Sequence, residues 1–117
     1  MRDIVFVFGS NLAGRHGKGA ALEAVSNWGA EYGVGEGRTG NSYAIPTKDA
    51  NLKTLPLDSI GQSYIKFWKY ALRNPDTQFL LTPFGTGLAG YHISEIRGIM
   101  HGGPLRNIWE SGDWQGD

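Results

Sequence analysis

The amino-terminal part of the chain places a buried strand, a glycine-rich turn and a helix in immediate succession. The continuous apolar run from Ile4 to Phe8 is rich in β-branched and aromatic residues and stops at Gly9. This is typical of a strand that is buried on both faces of a parallel sheet. From Gly19 to about Trp28, small and apolar residues then recur at helical spacing. Because parallel strands need crossover connections, usually helical, this order favours the α/β fold class.

Further strands are predicted along the chain. Residues 42–46 predict a short strand that is ended by Pro46, and residues 78–82 predict another. Residues 105–109 predict a last short strand. By contrast, the glycine-rich residues 33–41 predict an irregular connection.

Two further helices are predicted between these strands. A strong apolar stripe predicts a helix that begins at a cap on Asp58 or Ser59 and ends before Pro75. Residues 94–100 predict a shorter helix capped by Ser94. Strands that alternate with helices predict right-handed βαβ units and a mostly parallel sheet.

Size and composition limit the possible functions. The chain has 117 residues, which predicts a single domain over residues 1–117, with a loose polar tail from about residue 110. Basic and acidic residues both total 11, and this balance argues against binding to duplex nucleic acid. The absence of cysteine excludes disulfides, thiolate catalysis and cysteine-ligated zinc. No apolar run approaches the roughly 20 residues of a membrane span, so a cytoplasmic protein with no membrane contact is expected.

The glycine-rich turn after the first strand has the features of a phosphate site. Free backbone amides and the positive end of a helix dipole favour an anion at such a turn. Its spacing matches neither the Walker A pattern nor the G-x-G-x-x-G pattern of dinucleotide dehydrogenases, so a plain strand-to-helix turn is the alternative. The candidate ligand-binding residues here are Gly9, Ser10, Asn11, Gly17, Lys18, Gly19 and Ala20.

A second glycine loop follows the strand at residues 78–82. Both loops come directly after strands, so both are expected at the carboxyl edge of the sheet, where they can close on one ligand. One of the aromatic residues Phe8, Phe84 and Tyr91 is a candidate to stack on a base or ribose. The candidate ligand-binding residues of this loop are Phe84, Gly85, Thr86, Gly87, Leu88, Ala89, Gly90 and Tyr91.

The two loops resemble those of macrodomains. Residues 8–21, FGSNLAGRHGKGAA, resemble the first ligand loop of that family, and residues 85–91, GTGLAGY, resemble its second phosphate loop. The resemblance covers roughly residues 4–100. It implies a three-layer α/β/α sandwich that binds ADP-ribose, with Asn11 at the distal ribose. It also implies that residues 17–19 and 86–89 line the diphosphate.

The chain departs from the family pattern at positions that matter for chemistry. It is shorter, and it lacks the acidic residue that many members use against adenine. Val25 and Ala89 stand where one hydrolase branch has a catalytic lysine and aspartate. Asn11, which can orient water, and His16, whose imidazole can donate or accept a proton, are therefore the catalytic candidates.

Three functions are left open at this point. The chain is expected to bind a small nucleotide such as ADP-ribose, or to be a hydrolase that processes ADP-ribose, or to be a structural protein without a ligand. No metal site is predicted, because His92 and His101 have no ligand partner at a useful spacing. No cofactor is predicted either, and the oligomeric state is left open.

Overall fold

The computed structural model of the chain describes residues 3 to 115 and has an α/β fold. Five strands form one sheet in the order β2-β3-β1-β4-β5. β1 is parallel to β3 and to β4, β4 is parallel to β5, and only β2 runs antiparallel to its neighbour. The prediction of a mostly parallel sheet is therefore confirmed. Along the chain the elements are β1 (Ile4–Asn11), α1 (Gly19–Asn27), β2 (Gly37–Thr39), β3 (Ser42–Lys48), α2 (Leu57–Arg73), β4 (Gln78–Leu81), α3 (Ile93–Arg97) and β5 (Ile108–Glu110).

Successive side chains of the sheet enter two separate apolar clusters, because neighbouring residues of a strand point to opposite faces. Val5 and Val7 of β1 pack with α2, whereas Phe6 and Phe8 pack with α1. Burial raises the pKa of Tyr64 in α2 to about 12, so its phenol is neutral in the core. The α2 cluster includes Tyr43, Ile45, Ile60, Tyr64, Phe67, Ala71, Phe79 and Leu81, and the α1 cluster includes Ala21, Ala24, Ala30 and Ala44.

Two strands are longer than predicted. β1 continues past Gly9 to Asn11, and β3 continues through Pro46 to Lys48. The register between these strands shifts where Ser10 pairs with Pro46 and Asn11 pairs with Lys48. Since the ladder is irregular there, the missing amide proton of Pro46 does not end the strand.

The connection predicted as irregular contains the short strand β2. It forms a hairpin with β3 in which Gly37 pairs with Ala44 and Thr39 pairs with Ser42. Arg38, between them, donates a hydrogen bond of 3.2 Å to the Tyr70 hydroxyl of α2. The three residues of β2 are too few to show an alternation of apolar and polar side chains. The sequence therefore did not predict this strand, which is defined by its contacts with β3 and α2.

The predicted helix caps were wrong. α2 is capped at Pro56, which places Asp58 inside its first turn. α3 is capped at His92, whose backbone amide donates to the Glu95 carboxylate at 3.0 Å, so Ser94 lies inside the helix. α2 nevertheless ends before Pro75, as predicted.

The last described residues of the tail that begins at about residue 110 pack against the core. A 3-10 helix at Gly112–Gln115 follows β5. Trp114 in this turn is only 3% exposed, and its indole nitrogen donates to the Leu81 carbonyl at 2.7 Å. Residues 116 and 117 of the predicted tail lie outside the described residues. In the described part, no helix has the length and apolar character needed to cross a membrane.

Candidate functional site

A cleft of about 1100 Å³ opens at the carboxyl ends of the parallel strands and is lined by both glycine loops. β1, β3 and β4 all end at this edge because they are parallel. Of the predicted ligand-binding residues, Gly90 and Tyr91 do not line the cleft. Those that do are Gly9, Ser10, Asn11, Gly17, Lys18, Gly19, Ala20, Phe84, Gly85, Thr86, Gly87, Leu88 and Ala89.

Asn11 closes the first glycine loop on itself. Its side-chain nitrogen donates to the Arg15 carbonyl at 2.9 Å, and its side-chain oxygen accepts from the Arg15 amide at 3.0 Å. Asn11 is 8% exposed, so its side chain is largely shielded from solvent by the loop. The predicted contact of Asn11 with a ribose stays a prediction.

The first loop leads into α1, and the amino-terminal end of this helix lies at the cleft. Lys18 is the residue before the helix, and its side chain makes no capping hydrogen bond. The first-turn amides of a helix have no acceptor within the helix. Gly19 and Ala20 carry two of these amides and line the cleft, so this end of α1 offers donors to an anion.

The second loop offers further amides. A turn within it is held by Ala89, whose amide donates to Thr86 at 3.3 Å, and by Gly90, whose amide donates to Gly87 at 3.0 Å. Within residues 3–115, the backbone amides of Gly87 and Leu88 donate to no backbone carbonyl. Since both residues line the cleft, their amides can bind the same anion as the amino end of α1.

A turn at residues 49–54, after β3, supplies another wall of the cleft. The Asp49 carboxylate accepts from the amides of Asn51 and Lys53 at 2.8 and 3.0 Å. The Thr54 hydroxyl donates to the Ala89 carbonyl at 2.9 Å, which fixes the turn to the second loop. Leu52 at its tip lines the cleft. An aspartate two residues before an asparagine is a known turn signal that could have identified this segment.

His16, one of the two predicted catalytic residues, does not line the cleft. The ring is 2% exposed and contacts Phe8 edge to face at 5.2 Å. Its Nε2 is 3.0 Å from the Val34 carbonyl, and Nδ1 has no partner within residues 3–115. The structure brings Asn11 but not His16 to the cleft wall, because the imidazole packs beneath the first loop.

The aromatic residues predicted to stack on a base make contacts within the protein. Phe8 is 1% exposed, and Phe84 stacks on Tyr64 in the core at 5.5 Å between centroids. The Tyr91 hydroxyl donates to the Leu55 carbonyl at 2.8 Å. The large exposed apolar side chains that do line the cleft are Tyr32, Leu52 and Leu88.

The cleft wall carries charged residues of both signs. The cations lie in the first loop, at Arg15 and Lys18, and at the end of β3, at Lys48. The anions are Glu23, one turn into α1, and Asp113, which follows β5. Because β3 and β5 lie on opposite sides of β1 and β4, Lys48 and Asp113 stand on opposite sides of the cleft.

Comparisons of the chain with models of known protein families, with curated proteins and with solved structures found no match. The likeness to macrodomains therefore depends on the sequence resemblance over roughly residues 4–100 alone.

Proposed function

We propose that the cleft binds ADP-ribose or a related ADP-ribose-derived nucleotide. The observation that carries the proposal is that two glycine loops line one cleft with backbone amides that have no carbonyl partner among residues 3–115. The amides come from the first turn of α1, at Gly19 and Ala20, and from Gly87 and Leu88. Amides that converge from two sides suit a diphosphate, whose oxygens accept hydrogen bonds in several directions. Lys18 and Lys48 add positive charge beside them.

The size of the cleft supports a ligand larger than a free phosphate. Its volume of about 1100 Å³ lies slightly above the usual range for sites that enclose drug-sized molecules, about 300–1,000 Å³. Its lining extends from the end of β3 to the residues after β5, which are three strand spacings apart. At about 4.8 Å per spacing this is roughly 14 Å, enough for groups on both sides of a diphosphate.

The proposal includes the macrodomain-like, three-layer arrangement that the loop sequences imply. The apolar clusters that α1 and α2 form on opposite faces of the sheet support it.

We favour binding over hydrolysis. A loop histidine was the candidate general acid or base, and His16 is buried outside the cleft. Asn11 lines the cleft, but both polar atoms of its side chain already hold Arg15. Neither residue is therefore positioned to activate water beside a bound phosphate.

Charge reversal at Lys18 tests this proposal. Titration with ADP-ribose in a calorimeter is expected to show saturable one-to-one binding to the natural chain. Lys18→Glu places an anion beside the proposed diphosphate, so we expect its Kd to rise about tenfold or more, which corresponds to about 1.4 kcal/mol. Lys69→Glu is the matched control, because Lys69 is exposed on α2 and does not line the cleft.

The same experiment can contradict the proposal. If the natural chain gives no binding heat and ADP-ribose does not raise its Tm, the cleft is not a site for this ligand. The structural function without a ligand would then be favoured. Equal weakening by Lys18→Glu and Lys69→Glu would show only a general charge effect.

A further inference from the structure

A second cavity, of about 370 Å³, lies on the face of the sheet that carries α2. Its walls come from α2, from the connection between α3 and β5, and from β5 itself, and it shares no lining residue with the cleft. Its apolar side chains are those of Leu81, Met100, Pro104, Leu105 and Ile108. Because a cavity of about 150 Å³ is large enough for benzene, this one has room for a ring that carries a substituent.

The phenol of Tyr64 is a polar group of this cavity that has no partner. Tyr64 lines the cavity and is only 3% exposed, and its ring stacks on Phe84 at 5.5 Å between centroids. Within residues 3–115 no hydrogen bond involves its hydroxyl. Burial, and then the charge of Glu110, raises the pKa of Tyr64 to about 12, so the hydroxyl keeps its proton. A protonated hydroxyl on a fixed ring, with no acceptor of its own, is a hydrogen-bond donor that a ligand can use.

The charged side chains that line this cavity are already paired with each other. The Arg97 guanidinium donates to both carboxylate oxygens of Glu110, at 2.9 and 3.0 Å. A charged ligand would have to break this pair or be buried without a counterion, and both are unfavourable. The cavity therefore favours an uncharged ligand.

We propose that this cavity, which we call the tyrosine cavity, binds a small uncharged aromatic molecule that carries a carbonyl oxygen. The ring packs among the apolar side chains, where the Met100 thioether suits an aromatic edge. The Tyr64 hydroxyl donates a hydrogen bond to the carbonyl oxygen of the ligand. The site goes beyond the proposed nucleotide site, because none of these residues lines the cleft.

Acetophenone and ethylbenzene test this inference, because they share a ring with a two-carbon substituent and differ by the carbonyl oxygen. Each is titrated into the isotopically labelled chain while NMR follows the backbone amides. We expect acetophenone to shift the amides of Met100, Leu105 and Ile108 saturably, with a Kd of about 1 mM or below, as is reasonable for a ligand of this size. We expect ethylbenzene to bind about fivefold more weakly, which is the effect of one neutral hydrogen bond.

Tyr64→Phe removes the hydroxyl and keeps the ring, so the fold is expected to survive. It should weaken the binding of acetophenone alone and bring the two Kd values to within about twofold. Tyr43→Phe is the matched control, because Tyr43 is a buried phenol of the same apolar cluster and does not line the cavity. This variant should keep the preference of the natural chain for acetophenone.

Three results would overturn the inference. The first is the absence of saturable shifts at the amides around the cavity. The second is equal affinity of the natural chain for the two probes, which would show that a ring fills apolar space without using the Tyr64 hydroxyl. The third is an unchanged preference for acetophenone in Tyr64→Phe.

Discussion

At the scale of single residues, Leu52 shows how the fold holds an unfavourable conformation beside the site. Among residues 3–115 it is the one non-glycine residue with a positive φ, at 65°. This conformation costs a side chain such as leucine roughly 1–2 kcal/mol. The turn is retained because Asp49 accepts two backbone hydrogen bonds within it and Thr54 binds the second glycine loop. Strain of this kind is common where a side chain is positioned for a ligand.

Substitution of Leu52 by asparagine should relieve this strain. Asparagine tolerates the left-handed region, so we expect Leu52→Asn to raise the free energy of unfolding by about 0.5 kcal/mol. Leu72→Asn is the matched control, since Leu72 is 53% exposed against 47% for Leu52 but lies in a helix. There asparagine should lower the free energy of unfolding by about 0.5 kcal/mol. Urea titrations measure both, and a loss of stability in both variants would contradict the strain argument.

At the scale of elements, the first glycine loop is shaped by its contact with residues 33–35. The Gly33 amide donates to the Gly14 carbonyl at 2.8 Å, and the Ser10 hydroxyl donates to the Gly35 carbonyl. A Cβ atom on Gly35 would lie less than 3.0 Å from the backbone of Asn11 and Leu12. The loop and the segment can approach this closely only because Gly35 has no side chain.

We therefore expect Gly35→Ala to lower the free energy of unfolding by about 2 kcal/mol, because backbone atoms must move to admit the methyl group. Gly17→Ala is the matched control in the same loop. A Cβ atom on Gly17 would meet nothing within 4 Å, so its effect should stay within about 0.5 kcal/mol. Thermal and urea unfolding of both variants give the comparison. Similar stabilities would show that the loop accommodates the methyl group without strain.

The contrast between predicted and observed elements follows from where their stability originates. β1 was predicted from its continuous apolar run and α2 from an apolar stripe at helical spacing, and both signals lie within the element itself. β2 and the cap at His92 were not predicted. β2 depends on its tertiary contacts, and the cap depends on the side-chain geometry of His92 and Glu95. The same holds for the site. The glycine loops carry a local signature, whereas the burial of His16 under the first loop and the wall at Leu52 arise only in the folded chain.

At the scale of the whole molecule, Trp114 fixes the turn at residues 112–115 to the sheet, and this turn carries Asp113 of the cleft wall. Its ring meets Phe84 edge to face at 5.9 Å between centroids. On the other side, the Arg97 guanidinium lies 4.9 Å from the ring centroid and forms an ion pair of 2.9 Å with Glu110. Apolar burial, a hydrogen bond and a cation–π contact thus converge on one side chain that the polar tail sequence did not predict.

We expect Trp114→Ala to lower the free energy of unfolding by about 3 kcal/mol or more, because it leaves a cavity in the core and removes one of the two hydrogen bonds to the Leu81 carbonyl, the other being donated by the Ser111 amide. Trp109→Ala is the matched control. Trp109 is 60% exposed, so its loss should cost less than about 1 kcal/mol. Urea unfolding followed by circular dichroism measures both without using tryptophan fluorescence. If the two variants lose equal stability, the tail contributes no more to the fold than an exposed ring, and the position of Asp113 at the cleft does not depend on it.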